Sequence, residues 1–414
     1  MEVIRNEYLE KLKSLKDVHY IKILTGVRRC GKSTLLSQYK DILIREFGIN
    51  DNQVIDYDFN DKLIADKFNW KKLTKEIENN AVQNKVNYVF LDEIQEIKNF
   101  ENCVITLFEN KKIKFDIVLT GSNSKMFSDE LGSLFTGRYL EIHVFPFSFH
   151  EYFEYFKIND ISFASVNDMF EQYIQYGGLP ILLSKWNNEI IIKDQLTKIL
   201  DDVINKDIKN RHNLKKNVSE FKRITNYIFD NIGKQTSANK IANYLQSNNK
   251  STTTDKTVDR YIKWMIDANL IYRSDYFNLK GKKVLETSGR YFSIDVGIRN
   301  ISAKFNLDRG YSLENLVFCE FKRLGCNLYG YKFHDGREID FIVESKNGKL
   351  RKFIQVTEKI TSSNQNAEIG NLLLCKEPYE RIVISRYDKS DYTVEGVRIV
   401  NMINWLLGKE KIDV

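Results

Sequence analysis

The sequence predicts an α/β protein built of successive units. A parallel sheet wrapped by helices occupies residues 1–160, a helical connector 161–216, a winged helix-turn-helix 217–305, and a second α/β unit 306–414. Three observations carry this. The alternating run Tyr20-Ile-Lys-Ile-Leu-Thr25 ends in a glycine loop that opens into a helical pattern. Further apolar runs, at 53–58, 88–92, 116–120 and 139–145, alternate with helical or loop-like sequence, as a parallel sheet with helices on both faces requires. Beyond residue 160 the apolar spacing becomes three and four, which is helical.

The loop reads Gly26-Val-Arg-Arg-Cys-Gly-Lys-Ser33, the Gly-x-x-x-x-Gly-Lys-Ser pattern in its required place between strand and helix. Gly26 and Gly31 allow backbone N–H groups to turn inward around phosphate oxygens. The amides from Val27, Arg28, Arg29 and Cys30 to Thr34 would form the cradle, and the helix opening at Thr34 aims its positive end at the same anion. Lys32 would reach the β- and γ-phosphates and Ser33 would ligate Mg²⁺. A chance glycine turn is the competing reading, and the flanking strand and helix weigh against it. A nucleoside triphosphate, with ATP and Mg²⁺ as cofactors, is the expectation.

Tyr88-Val-Phe-Leu-Asp92-Glu93 is an apolar strand tipped by two carboxylates. Asp92 suits a Walker B role toward Mg²⁺, and Glu93 would deprotonate the attacking water. An ordinary buried strand with an acidic cap would read the same in isolation. In Thr120-Gly-Ser-Asn-Ser124, Asn123 and Ser122 are candidates to sense the γ-phosphate, with a plain polar turn as the alternative. Arg138 could stabilise the transition state on its own nucleotide or a neighbour's, or belong to a structural ion pair.

The bulk numbers set bounds. A hydrophobic content of 42% and a charged content of 29% describe a globular chain, and a net charge of +7 permits a nucleic-acid partner without demanding one. The five cysteines have no metal-type pair spacing and fit reduced thiols in the cytoplasm, Cys30 being a small filler in the loop. No apolar stretch is long enough to span a membrane, and the segment from Glu2 to Asp17 reads as an amphipathic helix rather than a signal peptide.

From Asn167 to His212 the pattern is helical, broken at Gly177-Gly178-Leu179-Pro180. Helices are expected over 221–231, 236–245 and 255–269, then strands over 270–277 and 291–295 around the loop Lys280-Gly-Lys-Lys283. Three helices and a two-stranded wing describe a winged helix-turn-helix. On duplex DNA, Lys256, Arg260 and Lys263 would face the groove, while Lys280, Lys282 and Lys283 would track the phosphates. Solvated charges on a unit that docks against protein are the alternative.

With these motifs in hand, residues 1 to about 160 resemble the AAA+ ATPases of the archaeal and bacterial ATP-binding group. The matching segments are the glycine loop with Thr34-Leu-Leu36, Phe90-Leu-Asp-Glu-Ile-Gln-Glu96, Leu119-Thr-Gly-Ser-Asn-Ser124, Leu134-Phe-Thr-Gly-Arg-Tyr139, Phe145-Pro-Phe-Ser-Phe-His-Glu-Tyr152 and, beyond them, Tyr176-Gly-Gly-Leu-Pro180. The resemblance implies a helical lid, a sensor at Ser122 or Asn123, and a role for Arg138 as the family's arginine.

The last unit, with a helix over 313–324, strands over 327–333, 338–343, 352–358 and 381–385, and a closing helix over 402–407, resembles the restriction-endonuclease-like PD-(D/E)XK fold. That family's helix glutamate, strand aspartate and Glu-x-Lys fall here on Glu314, Asp340 and Gln355-Val-Thr357. Gln355 offers no carboxylate to a metal and Thr357 no charge to a phosphate. Lys359 would share the strand face one repeat on, roughly 7 Å away. Glu338 shares the face of Asp340 and is either a second carboxylate or an exposed charge. The unit is therefore expected to be degenerate.

The resulting expectation is a cytoplasmic ATPase that rearranges its winged-helix and C-terminal units, on DNA or with a protein or homo-oligomeric partner, and has no membrane partner. An ATP-gated DNA nuclease and a non-hydrolysing nucleotide-dependent binding module are the alternatives.

Overall fold

Every side chain of strand β1 (Ile21–Thr25) is buried, as expected at the centre of a sheet covered on both faces. The computed structural model describes the chain except for residues 123–136, 213, 215–216, 250–251, 279–282, 303–307 and 390–391. Around β1 lie β2 (Val54–Asp58), β3 (Val86–Asp92), β4 (Lys114–Gly121) and β5 (Tyr139–His143), all parallel, in the order β2-β3-β4-β1-β5.

Alternation along the strands divides the core in two. Ile23, Val89, Leu91 and Leu119 pack toward α3 (Lys62–Ala65), α4 (Trp70–Asn80) and α5 (Phe100–Phe108). Leu24, Phe90, Val118 and Ile142 face the other way, toward α1 (Asn6–Ser14) and α2 (Lys32–Arg45). The second face also buries an ion pair, Lys22 Nζ to Asp116 Oδ1 at 2.7 Å, with side chains 1% and 3% exposed. The N–H of Asp17 gives that carboxylate a further donor at 2.8 Å.

Helix α6 (Phe149–Ile158) starts with a capping box between Ser148 and Glu151. It is followed by α7 (Val166–Tyr176), α8 (Pro180–Leu183) and α9 (Glu189–Asp202), with the expected break at residues 177–180. Helix α9 runs straight into a π-helical turn, Val203–Lys209. The next unit has α10 (Val218–Asp230), α11 (Ala238–Asn249) and α12 (Asp255–Asp267), then an antiparallel hairpin of β6 (Ile271–Asn278) and β7 (Lys283–Ser293). The second hairpin strand thus begins earlier than expected and ends before Asp295.

After α13 (Val296–Ser302) and α14 (Arg309–Arg323) come β8 (Asn327–Lys332), β9 (Glu338–Glu344) and β10 (Arg351–Thr357). A π turn and the short α15 (Asn371–Leu373) lead to β11 (Glu380–Ser385), β12 (Tyr392–Val394), β13 (Val397–Asn401) and α16 (Met402–Leu406). These strands and the hairpin form one sheet, β12-β13-β11-β10-β9-β8-β6-β7, joined where Tyr276 pairs with Gly330. The hairpin is therefore the edge of the C-terminal sheet, a continuity across residue 305 that the sequence patterning did not suggest. Among the described residues no helix is long and apolar enough to cross a membrane.

Candidate nucleotide site

The glycine loop leaves the carboxyl end of β1, where open parallel sheets place their ligands. Gly26 has φ +148°, and a Cβ there would lie 2.2 Å from the carbonyl oxygen of Val144. Gly31, at φ +97°, is the N-cap of α2. Val27 and Cys30 are fully buried while Arg29 is exposed, with a left-handed φ of +68°. Burial pushes the Cys30 thiol above its ordinary value, so it packs as a small apolar filler.

Lys32 lies beneath the loop, donating to the carbonyls of Gly26 at 3.0 Å and Val27 at 3.4 Å. Its Nζ is 3.5 Å from Glu93 Oε1. Burial pulls the Lys32 amine down, but Cys30, Glu93 and Asp92 around it hold it above its usual value. Burial likewise pushes Glu93 up, but Lys32 and Arg28 outweigh this and keep its carboxyl below the ordinary glutamate range. Glu93 is thus an anion held beside cations, and Gln95 donates to its other oxygen. Asp92 is the reverse case: burial raises it, and hydrogen bonds from Ser33 and Thr120 pull against that rise.

The hydroxyl of Thr120 donates to Asp92 Oδ1 and accepts from the Glu93 N–H at 2.8 Å. One side chain on β4 thereby fixes the Asp92 carboxylate and the backbone of Glu93 at the tip of β3. Glu93 itself sits in a left-handed conformation, φ 50° and ψ 46°. Beyond the β2 register pair of Asp58 and Asp92, Asp58 also reaches the cleft. Neither Thr120 nor Asp58 was singled out from the sequence, because their importance depends on which strands are neighbours.

The cleft has a volume of about 650 Å³. Its lining combines Arg28, Lys32, Ser33 and Thr34 with the apolar side chains of Val3, Phe147, Tyr155, Pro180 and Ile181, Pro180 lying against the glycine loop at Gly31. The Ser33 hydroxyl and the Asp92 carboxylate, close enough that the hydroxyl lowers the Asp92 carboxyl, are hard oxygen donors of the type Mg²⁺ takes. A larger cleft, about 790 Å³, lies between the N-terminal segment and the C-terminal helix and includes none of the loop residues.

The remaining candidates fall elsewhere. Ser122 gives its hydroxyl to Asp207 at 2.7 Å, and Asn123 lies outside the described residues. Arg138 precedes β5 beside Ile21, at the amino ends of the strands, with roughly 13 Å of β1 between it and the loop. Its Nη1 is 3.4 Å from Glu109, both side chains being 58% and 60% exposed. This corrects the expectation that Arg138 could act on its own chain's nucleotide, since the parallel strand direction puts it at the wrong end.

On the three-helix unit, Lys256, Arg260 and Lys263 are all exposed on α12, with Arg260 stacked over Trp264 and Tyr261. Lys280 and Lys282 lie outside the described residues, as does the conformation of the Lys283 side chain.

The C-terminal acids are close together but tied down. Asp340 accepts from the Val356 N–H at 2.8 Å, and its own N–H reaches Gln355 Oε1 at 3.3 Å. Glu314 lies 3.6 Å from Arg290, and burial together with Asp340 pushes it well above the glutamate range. Glu338 pairs with Lys332 at 2.7 Å. Strand β10 ends at Thr357, so Lys359 has left it and does not share its face as expected. Glu368, from beyond the strand, approaches Thr357 and Gln355, and burial first and Asp340 second raise it to about 7. Among the described residues no group of three or more His, Cys, Asp or Glu side chains could hold a metal ion.

A family model described as an AAA domain matches residues 18–153, and one described as a domain of unknown function matches 167–309. Over 411 residues the chain is 32% identical to an uncharacterized protein of Haemophilus influenzae, covering 98% of each. It is 30% identical over 365 residues to an uncharacterized protein of Methanocaldococcus jannaschii, covering 84% of this chain and 77% of that one. A Walker-type ATPase of Pyrococcus abyssi aligns over 73% of this chain and 96% of its own, at 16% identity and a TM-score of 0.46.

Proposed function

The chain belongs to one family with these Haemophilus and Methanocaldococcus proteins and carries an AAA domain, and from that premise we propose that it binds and hydrolyses ATP with Mg²⁺. The hydrolysis cycle would reset its three-helix and C-terminal units. The observation that carries this reading is the meeting of Lys32, Asp92 and Glu93 beneath the glycine loop, with Thr120 holding the Asp92 carboxylate and the Glu93 backbone.

Lys32 and the loop amides bind the phosphates, and Ser33 and Asp92 hold the metal. Mg²⁺, when bound, supplies positive charge that neutralises the phosphate oxygens as the terminal bond breaks. Glu93 accepts a proton from the attacking water at its carboxylate, which Lys32 and Arg28 keep ionised and whose basicity rises once Lys32 turns to the phosphates. Lys32 leaves Glu93 when phosphates draw it away, which frees the base.

Phosphate release from ATP, measured for the wild-type chain, Lys32→Ala and Glu93→Gln, tests the reading. Lys32→Ala should lose binding, and Glu93→Gln should bind ATP and not turn it over. Equal turnover by wild type and Glu93→Gln would refute the assignment of the base.

A second reading, duplex DNA on α12, draws support from the exposed Lys256, Arg260 and Lys263 on one helix that precedes a hairpin. Fluorescence anisotropy with a labelled duplex should give an affinity that falls with salt and weakens in Arg260→Ala. Anisotropy that does not rise at low salt would sink it.

A further inference from the structure

An unbroken series of hydrogen bonds runs from the glycine loop to the end of α12. Arg28 donates from Nε and Nη2 to the two oxygens of Asp207 at 2.8 and 2.6 Å. Ser122, just past β4, donates its hydroxyl to Oδ1 of the same carboxylate at 2.7 Å, so one oxygen serves both partners. The carbonyl of Ser122 accepts from Asn269 Nδ2 at 3.1 Å. Asn269 stops α12 in a left-handed conformation, φ 53°, its N–H bonded to the Ile266 carbonyl at 2.9 Å.

Two features make this series a candidate for more than packing. Asp207 occupies the π-helical turn Val203–Lys209, a geometry that is rare and kept mostly where function needs it. Arg28 also lines the cleft beside Lys32 and Ser33. Its planar fork fits a carboxylate or a phosphate equally well in shape, and a triphosphate brings more negative charge than a single aspartate.

We propose that Arg28 exchanges between Asp207 and the nucleotide phosphates, and that the exchange passes through Ser122 and Asn269 to α12. With Arg28 on Asp207, the π turn, the end of β4 and the stop of α12 are pinned together. With Arg28 on phosphate, Asp207 is left 7% exposed without its cation, a state that burial strongly disfavours for a charged carboxylate. The turn must then shift toward water or the acid must take up a proton, and either loosens its hold on Ser122. Nucleotide occupancy thereby biases the helix that carries Lys256, Arg260 and Lys263. This inference rests on the reading of the cleft as an ATP site.

The test is hydrogen–deuterium exchange on the full chain with and without the magnesium complex of a non-hydrolysable ATP analogue, with binding of that analogue followed by calorimetry. In the wild type, amides of 203–209 and 264–271 should change exchange rate by about fivefold or more, the low end of ordinary coupling between sites. Asn269→Gly, which suits the left-handed backbone, should bind the analogue as the wild type does and lose the change at 264–271 only. Asp207→Asn should bind the analogue tighter by about fivefold or more, because Arg28 no longer has a charged competitor. A purely structural Asp207 would weaken binding instead, and that result overturns the inference. Binding by the wild type with unchanged exchange at 264–271 overturns it as well, while leaving the ATP site standing. No heat with the wild type refutes the ATP site and this inference together.

Discussion

Thr120→Val removes one hydroxyl and keeps a branched side chain of nearly the same size at a fully buried position. That hydroxyl donates to Asp92 and accepts from the Glu93 N–H at 2.8 Å. The first loss, a hydrogen bond to a charged group, is worth about 1.5–3 kcal/mol, and the second leaves a buried N–H unpaired at about 1–3 kcal/mol. Local relaxation recovers part of the sum, so about 3 kcal/mol is expected as a fall in urea-unfolding free energy. A domain of ordinary stability, about 5–15 kcal/mol, survives that loss folded. Function suffers more. Without the hydroxyl, Glu93 has less reason to stay left-handed, and its carboxylate drifts from the water it must deprotonate. Turnover should fall by about 10²–10⁴, the range of a general base, whereas ATP affinity, carried by Lys32 and the loop amides, should change little. The acid side has a defined sign. Burial raises Asp92 and Thr120 helps hold it down, so in the valine variant Asp92 protonates at a higher pH and Mg²⁺ dependence weakens earlier on acidification. Thr120→Ser should restore most of both properties. A valine variant within about 0.5 kcal/mol of wild-type stability, the scatter of an ordinary surface change, and with wild-type turnover would refute the idea that this hydroxyl organises the two acids.

Gly26→Ala should cost about 2–6 kcal/mol in urea unfolding and abolish ATP binding, because the new Cβ would sit 2.2 Å from the Val144 carbonyl on a φ of +148°. Arg138→Ala should cost less than about 1 kcal/mol in thermal unfolding and leave ATP affinity unchanged, since its partner Glu109 is equally exposed. A loss of turnover that appears only as protein concentration rises would place Arg138 in a neighbour's site. Asp295, fully buried, accepts from the N–H groups of Gly178, Gly297 and Ile298, yet burial raises it to about 6. Its folded value lies above the unfolded carboxylate value, so its contribution is full below about pH 4 and lost as pH rises through 6, a swing of about 3 kcal/mol. Asp295→Asn should flatten that part of the stability–pH curve measured by urea unfolding, and an unchanged slope would contradict the burial account.

The loop and the acid-tipped strand were legible because their chemistry is local: a glycine, a lysine and a hydroxyl within eight residues, or an apolar run that ends in carboxylates. What stayed hidden depends on who sits beside whom. Thr120 matters because β4 adjoins β3, and Asp207 because a turn 179 residues away packs on Arg28. The charge and apolar pattern from Glu2 to Asp17 puts Arg5 in an amphipathic helix, but α1 starts one residue later, at Asn6. Its guanidinium instead reaches the carbonyls of Cys30 at 3.1 Å and Phe145 at 3.0 Å and pairs with Glu151 at 2.7 Å, strapping the loop from outside. Lys22 and Asp116 would be solvated charges in a one-sided sheet and are a buried pair in this one. The β12–β13 hairpin does carry a local sequence signal. Its two-residue turn is Glu395-Gly396, both with positive φ, as such tight turns require.

The continuity of the hairpin with the C-terminal sheet limits how the molecule can rearrange. Tyr276 pairs with Gly330, Ser274 donates to the Leu328 carbonyl at 3.0 Å, and Arg290 reaches both the Asp340 carbonyl and Glu314. A swing of α12 that left the C-terminal strands behind would break these buried bonds one by one. On the side of the first sheet and its following helices, these units are tied by Asn269 to Ser122, the Tyr272 hydroxyl to His143 at 2.6 Å, Asp295 to Gly178, Asn300 to the carbonyls of Ile174 and Gln175 at 2.9 Å, Arg309 to Glu171 at 2.8 Å and Arg386 to Asn167 at 3.0 Å, so a motion of the whole would have to release these as well. Desolvation lowers His143, which is half-buried, to about 3, so the Tyr272 contact is between neutral groups and breaks without stranding a charge. A motion of these units would also have to release Asp207, in the π turn Val203–Lys209, from Arg28 of the glycine loop.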